Sequence, residues 1–114
     1  MKSKSLTVLM IEPNKEPFTK VIKNELSELQ GQVGGLIDVI ALSESRREKE
    51  TVSIDLVLND EGKIMSLPFN RWLLSLGIGD FIVGDAFLVA SNKEGEFVSL
   101  TSDEIKKWSY EFRL

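Results

Sequence analysis

Leu6, Val8, Leu9, Met10 and Ile11 form a nearly continuous apolar run that Pro13 closes. A run of this kind, too short for a helix, predicts an inner strand covered on both faces. The next pattern has a longer period. Phe18, Val21, Ile22, Leu26, Leu29 and Val33 fall on one stripe, with Lys20, Lys23, Asn24 and Glu28 off it, which predicts an amphipathic helix. Pro17 suits the first turn of that helix, Glu16 favours the positive end of its dipole, and Gly31 or the pair Gly34-Gly35 would end it. Leu36 to Leu42 then reads as a second buried strand, interrupted by Asp38. Strand, helix and strand in this succession make a βαβ-like unit, right-handed if the two strands run parallel in one sheet.

Ser43 to Glu50 is charged with balanced signs and reads as a solvated connector. Val52, Ile54, Leu56 and Leu58 alternate with Ser53, Asp55 and Val57, the mark of a half-exposed strand. Asn59 to Gly62 is turn chemistry, and Lys63 to Leu67 would return as the hairpin partner. Phe81–Val83 and Ala86–Ala90 are strand material with a kink expected at Gly84-Asp85, and Phe97 to Leu100 is a short returning strand. The C-terminal segment carries the clearest helix start. Thr101 can cap, Glu104 completes a capping box, Leu100 can staple against Ile105, and Ile105, Trp108 and Phe112 share one face. The predicted class is therefore α+β. A single mixed or antiparallel sheet of about five strands carries the N-terminal unit, with the C-terminal helix packed on it. The length of 114 residues suits one domain spanning 1–114.

Composition narrows the chemistry. The chain has no cysteine and no histidine, which removes disulfides, Cys/His zinc sites, thiol nucleophiles and His-based triads. No GxGxxG or Walker spacing occurs, and Gly34-Gly35 is explained by a turn between helix and strand. Asp80 and Asp85 would face opposite sides of a strand, and Asp60-Glu61 lacks further acidic residues at calcium-loop spacing. The expectation is a protein with no catalytic residue, no metal site and no cofactor. A net charge of −4 argues against nucleic acid as a partner. The apolar runs are too short to span a bilayer, and the N-terminus lacks the pattern of a leader peptide, so a cytoplasmic protein is expected.

One stretch stays ambiguous. In "LPFNRW", Leu67 to Trp72, Pro68 would start a short helix or turn, Phe69, Trp72 and the following Leu73 and Leu74 could bury, and Asn70 could satisfy backbone groups. Arg71 could pair with Glu61 or Asp80. The alternative is a binding site made of Phe69, Asn70, Arg71 and Trp72, since a guanidinium beside two aromatics suits an anionic or planar ligand. The run "LLSLGIG" that follows is apolar enough to form a surface patch, and a homodimer through "RWLLSLGIG" is expected.

Three segments carry a family resemblance: "VLMIEPNKEPFTKVIKNELSELQGQVGGLIDVIAL", "NDEGKIMSLPFNR" and "GDFIVGDAFLVAS" with "EFVSLTSDEIKKW". In this order the chain resembles domain-of-unknown-function family 3846, associated with phages and mobile elements. The family's recurring positions fall here on Gly34, Gly35, Leu67, Pro68, Asn70, Arg71, Ser99, Leu100 and Thr101. The resemblance implies a phage or mobile-element accessory protein without an assigned reaction. Such a protein would act in the bacterial cytoplasm by binding a host or phage protein, host-defence systems among the targets. A protein that sequesters a nucleotide-like or acidic metabolite at Arg71 is the other reading.

Overall fold

The computed structural model describes residues 3–114. Strand β1 (Ser5–Ile11) is an inner strand, as its unbroken apolar run requires. Its neighbours are β2 (Phe18–Lys23) and β7 (Ala86–Ser91), both antiparallel to it. Strand β4 (Thr51–Asn59) lies on the far side of β7, and β3 (Ile37–Arg46) closes that edge. A short β8 (Phe97–Val98) also pairs with β7. These six strands form one sheet, five of them in the order β2-β1-β7-β4-β3 with β8 off this path on β7, and every pairing is antiparallel.

The α+β class and the antiparallel sheet follow the sequence pattern, but the N-terminal unit differs from it. The segment expected to begin a helix is β2, paired with β1 in a register that sets Ile22 opposite Leu6 and Phe18 opposite Met10. Its helical stripe never forms, because Phe18 and Val21 stay exposed and only Ile22 is buried. The chain folds back through Pro13 to Lys15, with Asn14 in the left-handed region at φ 61°, a turn that delivers β-branched Thr19, Val21 and Ile22 to the open edge of β1. Helix α1 (Leu26–Val33) starts only afterwards and ends at Gly34, φ 76°. The succession is ββαβ: β3 runs antiparallel to β1, and the strand that α1 joins to it in parallel direction is β2, at the opposite edge of the sheet.

Two other expectations change. Strand β3 was predicted to be buried and to stop at Leu42; it is a half-exposed edge strand that continues through Ser43–Arg46, past a bulge between Ala41 and Ser43. A charged sequence is tolerated there because an edge strand has a wet face and a free flank. Lys63 to Leu67 is not the hairpin partner of β4 but a turn-rich segment. Strand β4 pairs instead with β3 and β7, while β5 (Phe69–Trp72) and β6 (Phe81–Val83) make a separate two-stranded ribbon, joined through a 3-10 turn at Leu74–Leu76.

The sheet buries both faces. On one face Leu9, Ile11, Val52, Ile54, Leu56, Leu88 and Ala90 pack with Leu73 and Ile82 of the ribbon and with Trp108 and Phe112 of α2 (Ser102–Glu111). On the other, Leu6, Val8, Met10, Val57, Phe87 and Val89 pack under Leu29 and Val33 of α1. Asp55 is buried on β4 but holds hydrogen bonds from the hydroxyls of Ser53 and Ser91.

Helix α2 is fixed at its start by charge. Thr101 accepts from the Glu104 N–H and donates its own N–H to the Glu104 carboxylate, the reciprocal capping box predicted from sequence. That carboxylate is shared with β3 and the residue beyond it. Arg47 grips it through two nitrogens at 3.0 and 2.7 Å, and the Ser45 hydroxyl donates to it. A third contact from Arg47 reaches the Ser99 carbonyl. Burial pushes the Glu104 carboxyl up, but the bonds from Arg47, Ser45 and the Thr101 N–H outweigh it and hold the pKa down to about 2, against an ordinary 4.5.

Because the folded value is depressed, the stabilisation from Glu104 is complete above pH 4.5 and is lost as the pH falls through 2. It amounts to something on the order of 2–3 kcal/mol. Melting curves between pH 6 and 2 should therefore fall more steeply for the natural chain than for Glu104→Gln, which lacks the titrating group. Parallel pH profiles for the two would show that the Arg47 grip contributes nothing to folding.

Candidate functional site

In a regular strand successive side chains point to opposite faces. Strand β5 breaks this rule: Asn70 and Arg71 are both buried, while Phe69 and Trp72 on either side are both exposed. The pairing with β6 explains how. Phe69 lies opposite Val83 and Arg71 opposite Ile82, so a bulge falls between them and turns two consecutive residues inward. Gly84, just past β6, makes room for this corner. It has φ 71°, and a Cβ there would lie 2.6 Å from the Leu67 side chain.

The inward pair is fully occupied with the chain's own backbone. Asn70, only 4% exposed, donates to the carbonyls of Ile11 and Gly84 at 2.8 and 2.7 Å. Its oxygen accepts from Arg71. Arg71, 8% exposed, donates from Nε to the Phe112 carbonyl at 2.7 Å, from Nη1 to the Glu12 carbonyl at 3.0 Å, and from Nη2 to the Lys15 carbonyl. Four of its five N–H groups are thus engaged. The expected partners Glu61 and Asp80 are not used: Asp80 pairs instead with Lys63 at 2.6 Å, and the Glu61 backbone N–H bonds Asn59. Carbonyl oxygens replace a carboxylate here because Phe112 terminates α2, where partial negative charge collects. Burial pushes the Arg71 pKa down and Glu16 nearby opposes the shift.

The outward pair belongs to an aromatic face that also includes Phe81 of β6. Ring centroids are separated by 6.3 Å for Phe69–Trp72, 5.8 Å for Phe69–Phe81 and 5.2 Å for Trp72–Phe81. Phe69 is 50% and Trp72 57% exposed. The Lys63 ammonium stands 4.3 Å from the Phe81 ring centre. The apolar run that follows is split: Leu73 enters the core, Leu76 and Ile78 pack against it, and Leu74 stays exposed. The self-complementary patch expected from "RWLLSLGIG" is therefore smaller than its sequence: Arg71 and Leu73 turn inward, and Trp72 and Leu74 remain outside.

Two hollows adjoin this face. One, about 210 Å³, lies between the β3–β4 end of the sheet and the ribbon, with Phe81 in its wall. Another, about 310 Å³, lies against Phe69, Arg71, Trp72, Glu111 and Arg113. Phe81 and Lys63 are the contributors that sequence reasoning missed. Alternation in β6 put Phe81 on the same side as Val83, but only the pairing of β5 with β6 brings it against Trp72. Among the described residues no group of three acidic side chains converges as a metal site, and no helix is long and apolar enough to cross a membrane.

A family model described as Domain of unknown function (DUF3846) matches residues 5–113. No curated protein and no solved structure matches the chain.

The corner's energetic role can be measured directly. Arg71→Ala deprives three buried or half-buried carbonyls and Asn70 of their donor, and should cost roughly 3 kcal/mol. Arg71→Lys should recover only part of that, since one ammonium cannot match a planar fork spread over three carbonyls. Denaturant midpoints within about 0.5 kcal/mol of the natural chain for Arg71→Ala would remove the corner from the account of stability.

Proposed function

This chain belongs to the DUF3846 family, a family of domains of unknown function, and from that premise we propose that it is a non-enzymatic interaction protein whose contact surface is the Phe69–Trp72–Phe81 face. The carrying observation is the outward position of three mutually touching rings on a ribbon whose opposite side is anchored in the core. Exposed aromatic clusters on rigid supports supply large contact area at low entropic cost, and Trp and Tyr dominate binding hot spots. The lack of His and Cys in the chain supports binding over catalysis. The acidic net charge supports a protein partner over nucleic acid. The resemblance to a phage and mobile-element family extends the proposal. The partner is a host or phage protein in the bacterial cytoplasm, with defence components as one class. A second copy of the chain, docking through the same rings and Leu74, is the homodimeric form of this reading.

The hollow beside Arg71 and Arg113 favours one further reading, a small acidic ligand held there. Against it, Arg71 has one N–H left for such a ligand, and Arg113 already lies over the Tyr110 ring and donates to the Tyr110 carbonyl. A set of nucleotides and dicarboxylates that raises the melting temperature in proportion to concentration would bring this reading forward.

The double variant Phe69→Ser/Trp72→Ser should keep its melting temperature within about 3 °C, since both side chains are half or more outside. It should lose a stoichiometric partner that the natural chain retains from host lysate, or lose a dimer mass seen by light scattering. Retention unchanged by the double variant, or no partner and no dimer for the natural chain, would overturn the proposal.

A further inference from the structure

The 210 Å³ cleft next to the aromatic face has an apolar floor and an acidic rim. Ile40, Leu58, Leu73, Ile78 and Ile82 form the floor, and all of them belong to or pack on the main core. Asp38, Asp60 and Glu61 stand on the rim, exposed, with no ion-pair partner among the described residues. Lys63, the one cation in the wall, is already held by Asp80 at 2.6 Å and by the Phe81 ring. Its charge therefore does not offset the three free carboxylates. Those carboxylates come from β3 and from the turn after β4, and they do not converge as a metal cage. A field spread along a groove suits a spread positive charge, not a single ion.

We propose that the partner docks a basic, aliphatic segment here, Lys or Arg flanked by Leu or Ile, with the aliphatic side chains on the cleft floor and Phe81 and the cationic heads at Asp38, Asp60 and Glu61. This rests on the reading of the aromatic face as the contact surface and names the chemistry of what it contacts. Phe81 is the shared wall, since it lines the cleft and touches both Phe69 and Trp72. Long cationic side chains fit such a site because the stem buries along apolar surface while the head stays at the charged rim. Next to the cleft the exposed Trp72 ring, in contact with Phe81, offers a further favourable face to such a head. Complementary charge steers the encounter and rejects acidic partners.

The molecule carries its own reporter. Trp72 is 57% exposed and Trp108 3%, so a change of tryptophan emission on binding comes from Trp72. Three short synthetic peptides serve as probes: Lys with Leu, Glu with Leu, and Lys with Ser in place of Leu. The Lys/Leu peptide alone should shift the emission, and labelled-peptide anisotropy should give the same Kd. Asp60→Lys/Glu61→Lys should weaken it about tenfold or more, and added salt should weaken it further. Glu94→Lys, in the turn between β7 and β8, changes net charge without touching the cleft and should leave the Kd within about twofold. Equal binding of the Glu/Leu peptide, equal binding of the Lys/Ser peptide, indifference to the Asp60/Glu61 reversal, or no binding of the Lys/Leu peptide would each overturn the inference. If partner retention still depends on Phe69 and Trp72 in any of those cases, the interaction surface stands and only the basic-segment assignment falls.

Discussion

The guanidinium of Arg71 joins parts of the chain that strand pairing leaves separate. The ribbon of β5 and β6 forms no ladder with the six-stranded sheet. Arg71 bonds it to the β1–β2 turn through the Glu12 and Lys15 carbonyls and to the end of α2 through Phe112. Asn70 adds the end of β1 and the kink at Gly84. A planar fork with five donors reaches all of these groups at once, where a lysine has three donors on one atom and an amide two. Burying the charge is costly, and what offsets the cost is a set of carbonyl oxygens, including one at the negative end of α2, with the charge of Glu16 nearby assisting.

Helix α2 is therefore held at both ends by arginines of opposite task. At its start Arg47 neutralises Glu104, which itself caps the helix; at its finish Arg71 donates to the buried Phe112 carbonyl. Between these ends Trp108 and Phe112 pack onto the sheet, 6.2 Å apart. The two arginines come from distant parts of the chain, so the helix's position on the sheet is specified by polar contacts at its ends and by apolar packing between them. The same arrangement gives the ribbon a rigid base.

That rigidity matters for the proposed surface. The bulge in β5 decides which residues of "LPFNRW" are structural and which are available: it turns Asn70 and Arg71 in, and leaves Phe69 and Trp72 out. The six-residue stretch contains both a corner support and an exposed aromatic pair, separated at a single bulge. An aromatic face mounted in this way presents its rings in a fixed arrangement, which limits the ordering cost of association.

Much of the fold was legible in the chain by itself. The inner strand β1, the strand β7, the position of β4 (though alternation predicted it half-exposed and both its faces are buried), the turn at Gly84 and the capping box of α2 each follow from local patterns whose physical cause is local: apolar period, turn conformation, a side chain reaching its own helix start. The membership of a buried polar pair at Asn70 and Arg71 was half legible, since the residue types suit a corner but their partners are not neighbours in sequence. Tertiary structure alone decided the rest. Phe18–Lys23 has a helical stripe and becomes a strand because β1 offers it an open edge. Ser43–Arg46 has the composition of a loop and becomes a strand because an edge tolerates charge on its wet face. Phe81 joins Phe69 and Trp72 only when β5 and β6 pair, and the acidic cleft exists only where β3, the turn after β4 and the ribbon meet. Periodicity records how a segment can bury its own apolar side chains, but which edge, dipole or carbonyl waits for it is set by residues far away in the sequence.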